Sequence, residues 1–202
     1  MTVSDRSGVP RSYRMRKRQE DIEVTRQRIV DAAVLLHGTV GPAHTTISAV
    51  AEQAGVQRST VYRHFPDEAA LFGACTGHWL AANPWPRPQD WERIADPAER
   101  MHRGLRELYR YYDENRQMLG NSFRDIEVMP PFVGEMARAT LLGLVTGLIS
   151  GWPEAQQSER LVAAVRGAVD FRTSRAFVEA GLAPAAAADL VADMVLGVVK
   201  PG

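Results

Sequence analysis

The stretch Thr46–Phe65, TISAVAEQAGVQRSTVYRHF, contains the pattern that decides the fold of the N-terminal part of the chain. Its first half has apolar residues at the i, i+3, i+4 and i+7 spacing of one buried helix face. These residues are Ile47, Val50, Ala51 and Ala54. Gly55 follows directly, and glycine is the residue that most readily ends a helix in the left-handed conformation. The stretch therefore predicts a helix-turn-helix, two short helices joined by a tight turn.

The second helix of this motif, predicted from about Gln57 to His64, has one apolar and one polar face. We expect Val61 and Phe65 to point inward. The outward face has hydrogen-bonding side chains of the length needed to reach base edges in the major groove. They are Gln57, Arg58, Ser59, Thr60 and Arg63. This pattern favours binding to double-stranded DNA, and the open alternative is a helical hairpin that only packs.

Helical periodicity continues along the rest of the chain, and no segment shows the alternation of a strand. A first helix is predicted at Asp21–His37, Thr45 or Thr46 is expected to cap the second, and Asp67 to cap the fourth. Later helices are predicted near residues 97–118, 131–152, 158–180 and 184–199, after a proline-rich loop at 83–97. The fold class is therefore all-α with about nine helices. The predicted parts are an arm at 1–20, a helix-turn-helix domain at 21–66 and a C-terminal bundle at 67–202.

The net charge of zero hides two parts of opposite sign. Met1–Phe65 contains ten basic and six acidic residues, and the rest of the chain 14 basic and 18 acidic residues. Five of the eight residues in Arg11–Arg18 are basic. We expect this arm to be disordered, and two interpretations of it stay open: a solvated tail, or an arm that adds phosphate contacts beside the DNA-binding motif.

Composition argues against several other classes of protein. The single cysteine, Cys75, cannot form an internal disulfide, and no Cys/His spacing indicates a zinc site. We expect no cofactor and no metal. The longest uncharged run, Ala139–Pro153, has fifteen residues, which is short of the roughly 18–20 that span a membrane. The single cysteine, the short uncharged run and a polar, arginine-rich N-terminus lead us to expect a cytoplasmic protein. No nucleophile elbow, metalloprotease motif, P-loop or dinucleotide fingerprint is present, so we do not expect an enzyme.

The segment from Thr25 to Leu71 resembles the DNA-binding domain of the TetR (tetracycline repressor) family. The matching residues are TRQRIVDAAVLL, Gly41, Thr45-Thr46-Ile47, AVAEQAGV, STVYRHF and Leu71. The resemblance implies that phosphates are held by Thr45, Tyr62 and His64, and bases by Gln57, Arg58, Ser59 and Thr60; Thr46 and Arg63 complete our DNA-binding candidates. Two positions depart from the family pattern: Glu68 replaces a lysine, and His37 replaces an aromatic residue.

DNA half-sites about one helical turn apart require two copies of the motif, so a homodimer is expected. Apolar stripes on the last two predicted helices are the candidate dimer interface: Leu161, Val165, Ala168, Leu190, Met194 and Val198. The alternative is that these stripes close the monomer core. The candidate effector-binding residues are large apolar side chains between the motif and these helices: Trp79, Tyr109, Met118, Phe123 and Met136.

Taken together, the resemblance implies a ligand-responsive transcriptional repressor. It would be released from a palindromic operator by a small apolar or aromatic effector. The alternative that stays open is a dimeric DNA-binding protein without an effector, in which the C-terminal domain serves only dimerisation or protein contacts.

Overall fold

The computed structural model describes residues 11–199, which form eleven α-helices and no β-strand. The helices are α1 Arg11–Thr39, α2 Ile47–Ala54, α3 Arg58–His64, α4 Glu68–Ala82, α5 Pro88–Trp91, α6 Pro97–Glu114, α7 Arg116–Arg124, α8 Pro131–Ile149, α9 Glu159–Ala168, α10 Phe171–Glu179 and α11 Pro184–Val199. Single turns of 3₁₀-helix lie at Pro42–His44, Ile126–Val128 and Glu154–Gln156. The predicted all-α class is confirmed.

Helices α1 to α3 and the start of α4 enclose the first of two hydrophobic cores. The helix caps and the glycine turn expected from the sequence are present in the structure. The Thr46 hydroxyl caps α2 by accepting a hydrogen bond from the Ala49 N–H (3.1 Å), and Asp67 caps α4 through the Ala70 N–H (2.7 Å). Gly55 ends α2 with a positive φ of 64°, a conformation that costs glycine little and other residues more.

Helix α1 begins well before the predicted start at Asp21. The arm predicted to be disordered is therefore helical from Arg11 onward, and its residues 1–10 lie outside the described part of the chain. The reason is that residues 11–20 contain no glycine or proline and are rich in helix-forming Arg, Lys, Met, Gln and Glu. Extending a helix that packing has already nucleated costs little. Ile22 is 46% exposed because it lies beyond the packed part of α1.

The C-terminal core is built around α6, whose buried face packs most extensively against α11. Small side chains on α11, namely Ala187, Ala188 and Ala192, are fully buried and allow the two helices to approach closely. The buried face of α6 is formed by Met101, Leu105, Leu108, Tyr109 and Tyr112.

The helix predicted at 158–180 is broken into α9 and α10, which accounts for part of the difference between nine and eleven helices. The Tyr109 and Tyr112 hydroxyls donate to the carbonyl oxygens of Ala168 (3.0 Å) and Val169 (2.6 Å), at the end of α9. Asp170 then starts α10 by accepting from the Arg172 N–H (2.7 Å). The other additional helix is the short α5, which the buried Trp91 anchors inside the predicted loop.

One described helix, α8, is long and apolar enough to cross a membrane by length and composition, and α10 with α11 would pass only as a single span bent by 119°. Helix α8 extends past the uncharged run in the sequence and includes Glu135 and Arg138. Its inner side chains Leu144, Val145 and Leu148 are buried in the C-terminal core, which also explains an apolar composition.

Candidate functional site

The polar face of α3 is held outward by two buried anchors. Val61 and Phe65 are almost completely buried in the N-terminal core, and the Arg26 guanidinium lies 4.9 Å from the Phe65 ring centroid. This orientation places the predicted contact residues at the surface. Gln57, Arg58, Ser59, Tyr62 and Arg63 are exposed, and Thr60 and His64 are partly exposed. The structure therefore brings the predicted DNA-binding residues of α3 onto one accessible surface.

Arg58 and Tyr62 form a pair along this surface. The Arg58 Nη2 donates to the Tyr62 hydroxyl oxygen (3.3 Å), and the guanidinium carbon lies 5.7 Å from the ring centroid. Because the tyrosine oxygen accepts this bond, its own proton stays available for a phosphate oxygen. The pair orients the arginine before any ligand is present.

The two threonines before α2 differ in the state of their hydroxyl groups. Thr46 accepts from the Ala49 N–H, so its own proton remains available to a phosphate. The Thr45 hydroxyl instead donates to the Gly41 carbonyl oxygen (2.8 Å). Thr45 must give up this local bond before it can donate to DNA, which distinguishes it from Thr46.

His64 lies at the end of α3 in a positively charged environment. Its pKa is lowered, first by partial burial and then by the nearby Arg63 and Arg26. A neutral imidazole donates through only one ring nitrogen. A phosphate oxygen placed beside this ring would act in the opposite direction and raise its pKa.

Glu68, which departs from the family pattern, lies in the first turn of α4, where a carboxylate interacts favourably with the helix dipole.

A cluster of polar residues at the C-terminal end of α7, which we call the junction cluster (Asn121, Arg124 and the capping residue Asp125), connects the two domains. Asn121 Nδ2 donates to the carbonyl oxygens of His37 and Gly38, both at 3.0 Å. The nearly buried Asp125 accepts from the Ala43 N–H (3.0 Å). Its pKa is lowered by the hydrogen bond from Arg124 and, less strongly, by that backbone bond. The C-terminal domain thus holds the turn that leads into the helix-turn-helix.

The turn requires glycine at Gly41, whose φ is 94°. A Cβ there would lie 2.6 Å from the Asp125 carboxylate oxygen, so the close approach also excludes a side chain. Sequence reasoning missed the junction cluster, because its three residues look like an ordinary polar helix end.

An apolar cavity of about 100 Å³ lies where α1, α4, α7 and α8 meet. Four of the five predicted effector residues line it together, namely Trp79, Met118, Phe123 and Met136. The fifth, Tyr109, does not: it is fully buried in the C-terminal core, where its hydroxyl is bound to Ala168. Residues that the effector prediction did not include complete the wall, among them Val34, His37, Cys75, Thr76, Trp85, Ser122 and Thr140.

His37, on the last turns of α1, is a polar residue in this wall. Its ring packs against the Phe72 ring with their centroids 4.7 Å apart and their planes tilted by 31°. Its Nδ1 lies 3.5 Å from the Cys75 sulfur. Burial lowers the pKa of His37 to about 4 and raises that of Cys75 to about 12, so both groups are neutral near pH 7. The chemistry that the cavity offers is therefore contact and hydrogen bonding without charge.

A larger cleft, of about 690 Å³, lies between α6, α7 and α10, and is open to solvent. Its three arginines are already paired: Arg116 with Asp113 (3.4 Å), Arg124 with Asp125 (2.7 Å), and Arg175 with Glu179. The smaller cavity is the better candidate for an apolar ligand because both domains form its wall and it is lined mainly by apolar groups.

Only three of the six candidate dimer-interface residues are accessible at the surface of the monomer. Leu161, Val165 and Ala168 are buried inside the monomer, so their prediction as interface residues is wrong. The periodicity of α9 reflects packing within the C-terminal core. On α11 the outer face remains accessible: Leu190 is 41% and Met194 58% exposed, and Val198 is partly exposed.

These features define a helix-turn-helix protein in which a second, helical domain and the first enclose a small apolar cavity. Residues 29–75 match the family described as bacterial regulatory proteins, tetR family. The chain is 39% identical over 57 residues to the HTH-type transcriptional regulator AcrR of Shigella flexneri, and 38% identical over 60 residues to the HTH-type transcriptional regulator TtgR of Pseudomonas putida. These segments are 28% and 30% of this chain, and 26% and 29% of the relatives.

Solved structures are similar over most of the chain. A TetR-like transcriptional regulator from Rhodococcus sp. RHA1 has a TM-score of 0.56 at 20% identity, covering 94% of this chain and 97% of that one. A mutant of HlyIIR has a TM-score of 0.55 at 17% identity, covering 90% and 98%. At these identities the similarity shows the fold. The match to the TetR family of bacterial regulatory proteins covers residues 29–75, the helix-turn-helix part of the chain.

Proposed function

We propose that this protein is a cytoplasmic transcriptional repressor that binds a palindromic DNA operator as a homodimer and is released by a small uncharged effector. The observation that carries the proposal is the polar face of α3, held outward by Val61 and Phe65. Arg58 is the residue best placed to read a base, because an arginine fork matches the two acceptors of guanine. Thr46, Tyr62 and His64 supply phosphate contacts that set the position of the helix on DNA.

The effector half of the proposal rests on the position of the cavity. Helix α1, which supplies Val34 and His37 to the wall, also forms the N-terminal core. Helix α7 supplies Met118 and the junction cluster that holds the turn before α2. A ligand that binds one arrangement of α1 and α7 better than another shifts the populations of the two by its difference in affinity.

Dimerisation is proposed through the outer face of α11. Leu190 and Met194 are large apolar side chains left exposed on a helix whose other face is buried. Two copies of α3 are needed to contact half-sites about 34–36 Å apart. Since α3 and α11 belong to different domains, a partner on α11 leaves the DNA-binding surface free.

The DNA-binding proposal is tested by gel shift against the DNA that flanks the protein's own gene, at several salt concentrations. Arg58→Ala should weaken specific binding by about 5–150-fold, corresponding to about 1–3 kcal/mol for one base contact. The matched control is Arg110→Ala on α6, an exposed arginine paired with Glu114 and remote from the motif, which should bind like the wild type. Equal loss in both variants would mean that general charge, and not α3, determines binding.

The same gel shift at several salt concentrations also tests whether the N-terminal extension of α1 contacts DNA. Removing residues 1–17 deletes four arginines and one lysine, at Arg6, Arg11, Arg14, Arg16 and Lys17. If this segment contacts phosphates, affinity falls and the dependence on salt becomes less steep. Unchanged affinity and slope would refute that role.

The second candidate function is a dimeric DNA-binding protein without an effector. The observation that favours it is the size of the cavity, about 100 Å³, which is small beside the roughly 300–1,000 Å³ of most ligand sites. A small-molecule screen against the protein–DNA complex separates the two. Release by a compound that also binds the Arg58→Ala variant supports the effector, and release by none supports the second function.

A further inference from the structure

The described wall of the cavity at the domain junction contains several polar groups but no acidic side chain, lysine or arginine. Its polar side-chain groups are the hydroxyl groups of Thr76, Ser122 and Thr140, the Cys75 thiol, the His37 imidazole and the indole N–H groups of Trp79 and Trp85. His37 is about nine-tenths buried, is held in place by stacking on Phe72, and has two ring nitrogens, of which only one contacts Cys75.

The contacts of Cys75 decide which nitrogen of His37 has the proton. The Cys75 thiol donates to the Phe72 carbonyl oxygen (3.1 Å), so its proton is already in use. The remaining contact, from the sulfur to His37 Nδ1 (3.5 Å), is then a hydrogen bond only if Nδ1–H donates to sulfur. In a neutral imidazole this leaves Nε2 with a lone pair, as an acceptor.

No described residue provides a hydrogen-bond partner for His37 Nε2. The atom is not sealed in the protein, since every completely buried side-chain nitrogen or oxygen of the described residues has a partner. His37 lines both this cavity and a second cleft of about 380 Å³, whose other lining residues include Thr46 and Ile47. A nearly buried acceptor without a partner is costly unless a ligand or water satisfies it.

We propose that His37 Nε2 is the specificity-determining acceptor of the cavity, which selects an uncharged single-ring ligand with one hydroxyl or N–H donor. The inference rests on the proposed effector function and adds the ligand's chemical class. The cavity, of about 100 Å³, is somewhat smaller than the apolar cavity of about 150 Å³ that accommodates benzene, so its size limits a ligand to a single ring. A carboxylate would have to lose its water with no cation in the wall to pair with it.

The test uses calorimetric titration of the full chain at pH 8 with three probes: phenol, toluene and benzoate. Phenol should bind about tenfold more tightly than toluene, the effect of one buried hydrogen bond, and benzoate should not bind. His37→Phe keeps a ring against Phe72 and should lower phenol affinity to that of toluene while leaving toluene affinity unchanged. The matched control, Thr140→Val, removes a hydroxyl from another wall of the same cavity and should keep the preference for phenol.

Each other result overturns the inference in a recognisable way. Equal binding of phenol and toluene by the wild type would keep the cavity as a ligand site but remove the role of His37. The same conclusion follows if Thr140→Val loses the preference and His37→Phe keeps it. Binding of neither ring would overturn the inference together with the effector half of the proposed function, while DNA binding, measured with Arg58→Ala, would stand by itself.

Discussion

Replacing Asp125 with alanine tests whether the junction cluster holds the two domains together. The nearly buried carboxylate accepts from the Ala43 N–H at 3.0 Å and from Arg124 at 2.7 and 2.9 Å. Hydrogen bonds to charged groups contribute about 1.5–3 kcal/mol, and the substitution leaves the partly buried Ala43 N–H without an acceptor. We therefore expect the free energy of unfolding to fall by about 2–3 kcal/mol.

Urea unfolding at pH 7 measures this loss, and two further variants define its origin. Asp125→Asn keeps an oxygen acceptor for Ala43 but removes the charge, so it should cost only about 1 kcal/mol. Asp113→Ala removes a more exposed carboxylate that also accepts from an arginine, Arg116 at 3.4 Å, and should change stability by less than about 0.5 kcal/mol. Amide exchange at Ala43 should accelerate in Asp125→Ala alone.

The pKa of Asp125 gives the same prediction a pH dependence. The pKa is lowered, mainly by Arg124, so the folded state binds a proton less readily than the unfolded state. The stability from this group is present above its ordinary pKa of 3.8 and is lost as pH falls through the lower folded value. Equal stability of Asp125→Ala and Asp113→Ala, with no change in exchange at Ala43, would refute the role of the junction cluster.

Two more predictions concern the cavity and the dimer. Because burial lowers the pKa of His37 from 6.5 to about 4, wild-type stability should fall by up to roughly 3 kcal/mol more than that of His37→Phe as pH drops from 6.5 to 4, and parallel urea-unfolding curves would contradict this. If α11 forms the interface, sedimentation should give twice the 22.3 kDa chain mass for the wild type and a single chain for Met194→Asp. The control Leu142→Asp, on the exposed face of α8, should stay dimeric, and a dimeric Met194→Asp would rule out this interface.

The helix-turn-helix could be predicted almost completely because its determinants are close together in the chain. The Thr46 cap, the Gly55 turn and the inward Val61 act within twenty residues of one another, and each is found as expected. The outward orientation of Arg58 follows from the same periodicity. The arm was less predictable, because the helix-forming residues before Asp21 also form a plausible charged tail, and only continuity with packed α1 distinguishes the two.

Periodicity by itself could not assign the apolar stripes of the C-terminal domain. A stripe buried in the monomer and a stripe buried against a second chain have the same spacing, so Leu161 and Met194 look alike in sequence. In the structure, Leu161 is inside the core and Met194 is exposed. The break between α9 and α10 is similarly non-local, since the tyrosines that hold it lie on α6, 57–59 residues away in the chain.

The sequence by itself determined the all-α class, the helix-turn-helix motif and four of the residues that line the cavity. Only the tertiary structure decided that His37 and Cys75, 38 residues apart, share one wall, and that Asp125 holds the turn at Ala43, 82 residues away. The physical reason is that helix caps and periodicity are read from neighbouring residues, whereas the cavity and the junction exist only where distant helices meet.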